Sequence, residues 1–170
     1  MDQTEDRPDI SGYVVAEQTQ LTLPSLPHWI EAAVEFLRQK AVLSGACQET
    51  RSGKLMVAFH EALSNALVHG NLGLSSELKE RGDNSFAEAL AQRVADPQYS
   101  SRTVDILIDC NPERCRWVIT DQGQGFDTQA ALRKAQSEDP EDLLSSGRGI
   151  LIMRSFLDEV AYELGGRRLV

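Results

Sequence analysis

Residues 50–71, TRSGKLMVAFHEALSNALVHGN, decide how the rest of the chain is read. Leu55, Phe59, Ala62, Leu63 and Ala66 recur at the three-and-four spacing of an apolar stripe. The segment therefore predicts an amphipathic helix over about 50–69, closed by Gly70, Asn71 and Gly73. Glu61 and Asn65 lie on another face, four residues apart and more than a quarter-turn from the stripe, so their side chains stack together. Asn is a poor helix former, and its place in mid-helix asks for a reason. An amide carbonyl beside a carboxylate offers hard oxygen ligands to Mg²⁺, or a general base next to a magnesium-bound phosphate. Spacing alone favours an ordinary solvated helix face. His60 and His69 flank the pair, and one of them is a candidate to line the same pocket.

Composition narrows the class of protein. The 170 residues carry a formal net charge of -9, with 41% hydrophobic and 25% charged residues, the mixture of a single globular domain. An acidic balance argues against nucleic acid or an anionic membrane as the main partner, since both select basic surfaces. No apolar run reaches the ~18 residues of a membrane span, and the start of the chain lacks a basic-then-apolar leader. Three cysteines, Cys47, Cys110 and Cys115, leave at least one unpaired, and a reduced, cytoplasmic protein is the simplest expectation. Cys110 and Cys115 have no second Cys or His pair nearby, so packing across a hairpin is expected rather than zinc.

Outward from the central helix, residues 1–10 read as a disordered acidic tail and 11–170 as one domain. Tyr13–Val15 and Leu21–Leu23 predict one long or two short strands ending at Pro24. Ser25 is a candidate N-cap for an amphipathic helix over 27–43, stopped by Ser44-Gly45. Two short helices are expected at 75–81 and 85–94, ended by Asp96-Pro97. Val104, Ile106 and Ile108 alternate with acidic residues as in a half-buried strand, and Arg116–Thr120 reads as its returning partner. A short helix around 129–135, a helix after Gly147-Arg148-Gly149 and a final hairpin about Gly165-Gly166 complete the pattern. Helices early, hairpins late and no regular strand–helix alternation predict an α+β two-layer sandwich, a mostly antiparallel mixed sheet covered on one face by helices.

Two glycine motifs join the Glu61/Asn65 pair. Asp121-x-Gly123-x-Gly125 puts a carboxylate at a strand end beside backbone that a flat ligand can approach closely, or is simply a glycine-rich turn. Gly147-Arg148-Gly149 opens a helix, where backbone N–H groups and the helix dipole favour an anion, or is a plain entry turn. There is no Walker loop, no GxGxxG and no GxSxG.

Their order carries more than any one of them. HEALSNALVHGN (60–71), DQGQGFD (121–127) and SSGRGILIMRSFLDEVAY (145–162) resemble the asparagine box and the two glycine boxes of the Bergerat-fold (GHKL) ATPases. The phrases Glu-Ala-Leu-Ser-Asn-Ala with His-Gly, and Gly-Arg-Gly with Leu-x-x-x-x-Asp-Glu-Val, are most similar to the anti-sigma-factor serine kinases of bacterial partner-switching systems. The resemblance implies ATP and Mg²⁺, with Asn65 as the magnesium ligand and Glu61 as the general base. It also implies that Asp121 accepts from the adenine amino group, that Gly123 and Gly125 shape the adenine pocket and lid hinge, and that 127–146 form the lid. Gly147 and Gly149 would present N–H groups to the phosphates, with Arg148 as an added cation. A STAS-domain anti-anti-sigma protein as serine acceptor, a sigma factor as possible target and a homodimer are the partners it implies. Residues 74–100 depart from the compact relatives as a helical insertion, either a tolerated surface addition or a partner-binding surface. A non-catalytic module that switches partners by nucleotide occupancy is the competing reading.

Overall fold

A computed structural model of the chain describes Tyr13 and residues 15–76, 78, 83–135 and 148–170. The expected tail, most of the 75–81 helix, Gly147 and residues 136–146 of the lid lie outside the described residues.

Five strands form one sheet in the order β1-β2-β3-β5-β4, antiparallel at every described pairing. They are β1 (Glu17–Pro24), β2 (Thr103–Cys110), β3 (Cys115–Thr120), β4 (Tyr162–Glu163) and β5 (Arg168–Leu169). Side-chain alternation sorts the two faces. Val104, Ile106, Ile108 and Ile119 are buried against helices. Between them fall Thr22, Asp105, Thr120 and Arg168, in register across the other face, where Thr22 donates to Asp105 at 2.8 Å and Arg168 to Thr120 at 3.2 Å. That polar row is what a one-sided sheet presents to water.

The covering layer contains α1 (Ile30–Leu43), α2 (Ser52–Ser64) and α6 (Arg148–Phe156), with α2 packed between the other two. Ile30, Val34 and Leu37 of α1, Phe59 and Leu63 of α2, and Ile150 and Met153 of α6 are buried in the core. Trp117 on β3 meets Phe59 edge-to-face, centroids 4.9 Å apart. The insertion contributes α3 (Ser85–Ala95) and α4 (Pro97–Ser100), the latter capped by Asp96, whose carboxylate accepts from Gln98 N–H at 2.9 Å. Phe86, Leu90, Val94 and Tyr99 of this segment pack against the core from the side, so it is part of the domain rather than a detached arm. Finally α5 (Thr128–Ala135) forms within the segment expected as the lid.

Four local expectations need correction. The central helix is not uniform. A 3₁₀ turn at Glu49–Arg51 precedes α2, and Asn65–Asn71 is π-helical, with Leu72 N–H reaching back to Leu67 O at 3.0 Å. Such widened turns cluster at functional sites. Ser25 is not a helix cap: it is buried, and its hydroxyl donates to Arg102 O at 2.7 Å. Tyr13 and Val15 are exposed and precede the first strand, because nothing on β2 extends far enough to pair with them. Cys110 and Cys115 face each other in register at the β2–β3 hairpin, Cα atoms 4.0 Å apart, and are joined as a disulfide where reduced thiols were expected, leaving Cys47 free. Within the described residues no helix is long and apolar enough to cross a membrane.

Asn71 ends the π-helical segment and is fully buried. Its amide donates to Ser25 Oγ and to Thr103 O, both at 2.9 Å, and its carbonyl accepts from Gln122 N–H at 2.7 Å. One side chain thus joins the central helix to the entry of β2, the exit of β3 and the segment after β1. Asn71→Ala removes three hydrogen bonds made by a fully buried side chain, and the expected loss is about 2–4 kcal/mol in urea unfolding, at roughly 1 kcal/mol for each bond. A loss under 0.5 kcal/mol would show that water replaces the amide without penalty.

Candidate functional site

A cavity of about 770 Å³ opens between the C-terminal half of α2, the start of α6, α5 and the β3–β5–β4 edge of the sheet. Its size suits a nucleotide-sized ligand. One end belongs to the helices. Glu61, Asn65, Arg148 and Gly149 all line it. A Cβ placed on Gly149 would stand 2.8 Å from Glu61 Oε2 and 3.6 Å from Asn65 Nδ2. The absent side chain is therefore the space that the carboxylate and the amide face. Among the described residues neither side chain has a hydrogen-bond partner, so both are available to a ligand. A carboxylate, an amide oxygen and a helix N-terminus suit a magnesium–phosphate group, in which the ion takes few protein ligands and keeps phosphate and water oxygens.

The other end belongs to the sheet. Asp121 follows β3 and is 8% exposed. Its N–H donates to Arg167 O at 2.9 Å, continuing the β3–β5 pairing beyond the strands. Its carboxylate accepts from Gly123 N–H at 2.8 Å. The π-helical turn lies directly on this loop. A Cβ on Gly70 would come 2.6 Å from Asp121 Cγ, and one on Gly123 would come 2.2 Å from Gly70 O. Both positions require glycine for close backbone approach. Gly123 does not line the cavity; it holds the Asp121 carboxylate and admits Gly70, whereas Asp121 and Gly125 do line it. Gly125 has φ +74° and stands against Gly165 O, to which Phe126 N–H donates at 2.9 Å.

Burial pushes the Asp121 carboxyl above the usual range; the Gly123 N–H and the guanidinium groups of Arg167 and Arg102 oppose this without cancelling it. Arg102 also donates to Asn71 O at 2.6 Å, which ties it to the same junction.

The structure brings Glu61, Asn65, Asp121, Gly125, Arg148 and Gly149 to one cavity. Of the two histidines flanking Glu61 and Asn65, His69 lines the cavity, with Nδ1 2.5 Å from Leu74 O, while exposed His60 lies 3.4 Å from Glu31. Nδ1 must carry the proton in that contact, because a carbonyl only accepts. Sequence reasoning missed Gly70, Phe126, Lys134 and Tyr162 on the cavity wall. Nothing in their spacing marks them, because chain segments far apart in sequence bring them together. The nearest signal was Gly165-Gly166, read only as a turn.

A family model described as the histidine kinase-like ATPase domain matches residues 22–170. The chain belongs to this family and is an ATP-binding domain of the histidine-kinase-like type. No curated protein matches it.

A carboxyl raised in the folded state is penalised only when ionised. Its penalty is absent below the unfolded value of ~3.9 and grows as pH rises to the folded value. Asp121→Asn removes this titration. The unfolding free energy of the variant minus that of the wild type is expected to rise from pH 4 toward neutrality and then level off, measured in urea at a series of pH values. A difference independent of pH would mean that Asp121 titrates as an exposed carboxylate does.

Proposed function

We propose that this histidine-kinase-like ATPase domain is an ATP-dependent serine protein kinase of the anti-sigma, partner-switching kind, acting on a STAS-domain antagonist. The observation that carries the reading is the pair Glu61 and Asn65, unpartnered and facing Gly149, at one end of the cavity whose other end holds Asp121. ATPase activity alone needs a positioned water; transfer to a protein needs a base at the mouth that a foreign hydroxyl can reach. Glu61 is half-buried on the exposed side of α2, open to both the cavity and the surface.

Each residue has a defined task in that reaction. Asp121 accepts a hydrogen bond from the adenine amino group and, as an acceptor, disfavours a base that presents a carbonyl there. Asn65 would hold Mg²⁺ through its side-chain oxygen, and the ion would supply charge neutralisation at the phosphates. Arg148 and the N-terminal amides of α6, on the cavity wall, would hold the terminal phosphate. Glu61 takes the proton from the acceptor serine as its oxygen bonds to the γ-phosphorus; the bond from that phosphorus to the bridging oxygen breaks, and ADP leaves with the electron pair. The phosphoserine gains roughly two negative charges. On an acidic kinase this repels the product, and release of the phosphorylated antagonist frees the kinase to hold its target, a sigma factor in the related systems.

The direct test is transfer of label from γ-labelled ATP with Mg²⁺ to a STAS-domain protein encoded beside this one. Serine labelling is expected, and Glu61→Gln is expected to reduce it by ~10²–10⁴-fold, the usual weight of a general base, with nucleotide affinity kept. Asn65→Ala should remove the Mg²⁺ dependence of nucleotide binding in calorimetry. Nucleotide binding without label on any STAS partner would favour the occupancy switch. Equal transfer by Glu61→Gln would take Glu61 out of the reaction.

A further inference from the structure

One row of the sheet runs into the cavity floor. Register places Leu21, Ile106, Ile119, Leu169 and Tyr162 side by side across all five strands. Ile106 and Ile119 are buried beneath the helices, so the whole row lies on the helix-facing side. Four of its members are aliphatic. The fifth, on the edge strand, carries a hydroxyl. Tyr162 lines the cavity together with Ile119 and Leu169.

Its ring is fixed without help from that hydroxyl. Phe126 meets it edge-to-face, centroids 5.2 Å apart and planes at 79°. Phe126 is itself held through its N–H to Gly165 O at 2.9 Å. Packing of this kind needs only a six-membered ring, which Phe supplies. Among the described residues the Tyr162 hydroxyl has no hydrogen-bond partner, and it is not sealed away from the cavity. Burial raises its pKa with nothing to oppose the shift, so the group is a neutral donor and acceptor at any working pH. Half-buried phenol oxygens usually find a partner. The cavity that Tyr162 lines offers one.

We propose that Tyr162 is a specificity-determining residue, its hydroxyl making a hydrogen bond to the base–ribose half of the bound nucleotide in addition to the contact from Asp121. The inference rests on the ATP site described above. Tyr162 serves the base–ribose half because it shares its row with Ile119, two residues before Asp121 on the same strand, whereas Glu61, Asn65 and Gly149 stand on the helices. A site that fills a hydrogen-bonding group with ligand discriminates against ligands that leave it unpaired.

The test is Tyr162→Phe, which removes one oxygen and keeps the ring. Calorimetry with ATP and with adenosine is paired with thermal unfolding of the nucleotide-free protein. Both ligands should bind about 3- to 10-fold more weakly, the weight of one neutral hydrogen bond, and the empty protein should melt at or above the wild-type temperature. Unchanged ATP affinity would overturn the inference. So would a loss for ATP with adenosine unaffected, which would place the hydroxyl at the phosphates. An empty variant that melts several degrees lower would also overturn it, by giving the hydroxyl a role in the fold. Wild-type protein that binds neither ligand would overturn the ATP reading and this inference together, whereas wild-type binding matched by the variant would overturn this inference alone.

Discussion

The site depends on one backbone contact, the π-helical turn at Gly70 lying against the loop that follows β3. Neither partner tolerates a Cβ: one on Gly123 would enter the Gly70 carbonyl at 2.2 Å, and one on Gly70 would enter the Asp121 carboxylate. The contact sets the separation between the helix that carries Glu61 and Asn65 and the strand end that carries Asp121. Asn71 then fastens it with three side-chain hydrogen bonds, to Ser25, Thr103 and Gln122. A helix alone is soft toward rotation about its axis. This one is pinned at its last residue to three segments, so the faces of Glu61 and Asn65 are fixed relative to the sheet.

The same junction explains why the turn widens. An α-helix running unbroken through Asn71 would close each amide on the carbonyl four residues back. Here Leu72 N–H bonds to Leu67 O and Leu74 N–H to Val68 O, five and six residues back. The wider turn lets the backbone pass over the Asp121 loop and delivers the buried Asn71 amide to its three partners. His69 caps the departure by bonding Leu74 O, which brings Leu74 to the cavity wall. Local helix geometry yields to tertiary hydrogen bonding because a buried unsatisfied backbone group costs more than a distorted turn.

Sequence reading recovered what depends on period and order. The stripe of Phe59, Ala62 and Leu63, the alternation of Val104, Ile106 and Ile108, and the returning strand at 116–120 carry their own signals, and the sheet-under-helices architecture follows from them. The candidate site was legible where chemistry shows in residue type: Glu61, Asn65, Asp121 and the glycines. It was not legible where a residue acts through a neighbour distant in the chain. Ser25 reads as a helix cap, yet its hydroxyl serves Arg102, 77 residues on. Gly123 reads as part of a pocket, yet its task is to admit Gly70 and hold Asp121. Tyr162 reads as one more β-former in a short hairpin, because only the register with Leu169 and Ile119 reveals that it ends on the cavity floor.

Charge follows the same division between global composition and local arrangement. A chain of net charge -9 looks unsuited to a polyanion such as ATP. Long-range repulsion, however, is screened within ~8 Å at physiological salt, so only the groups at the cavity decide whether phosphates are welcome. Arg148 and Lys134 line it, and Arg102 and Arg167 stand close enough to Asp121 to act on its titration. Arg148 and Lys134 share the wall with the carboxylates of Glu61, Asp121 and Asp127, so the position of each cation, and not an excess of positive charge, would serve a phosphate, while the outer sheet face pairs Arg168 with Thr120 and Glu163. The acidic composition therefore bears on which macromolecules approach the surface, and it leaves the choice of small ligand to the few residues on the cavity wall.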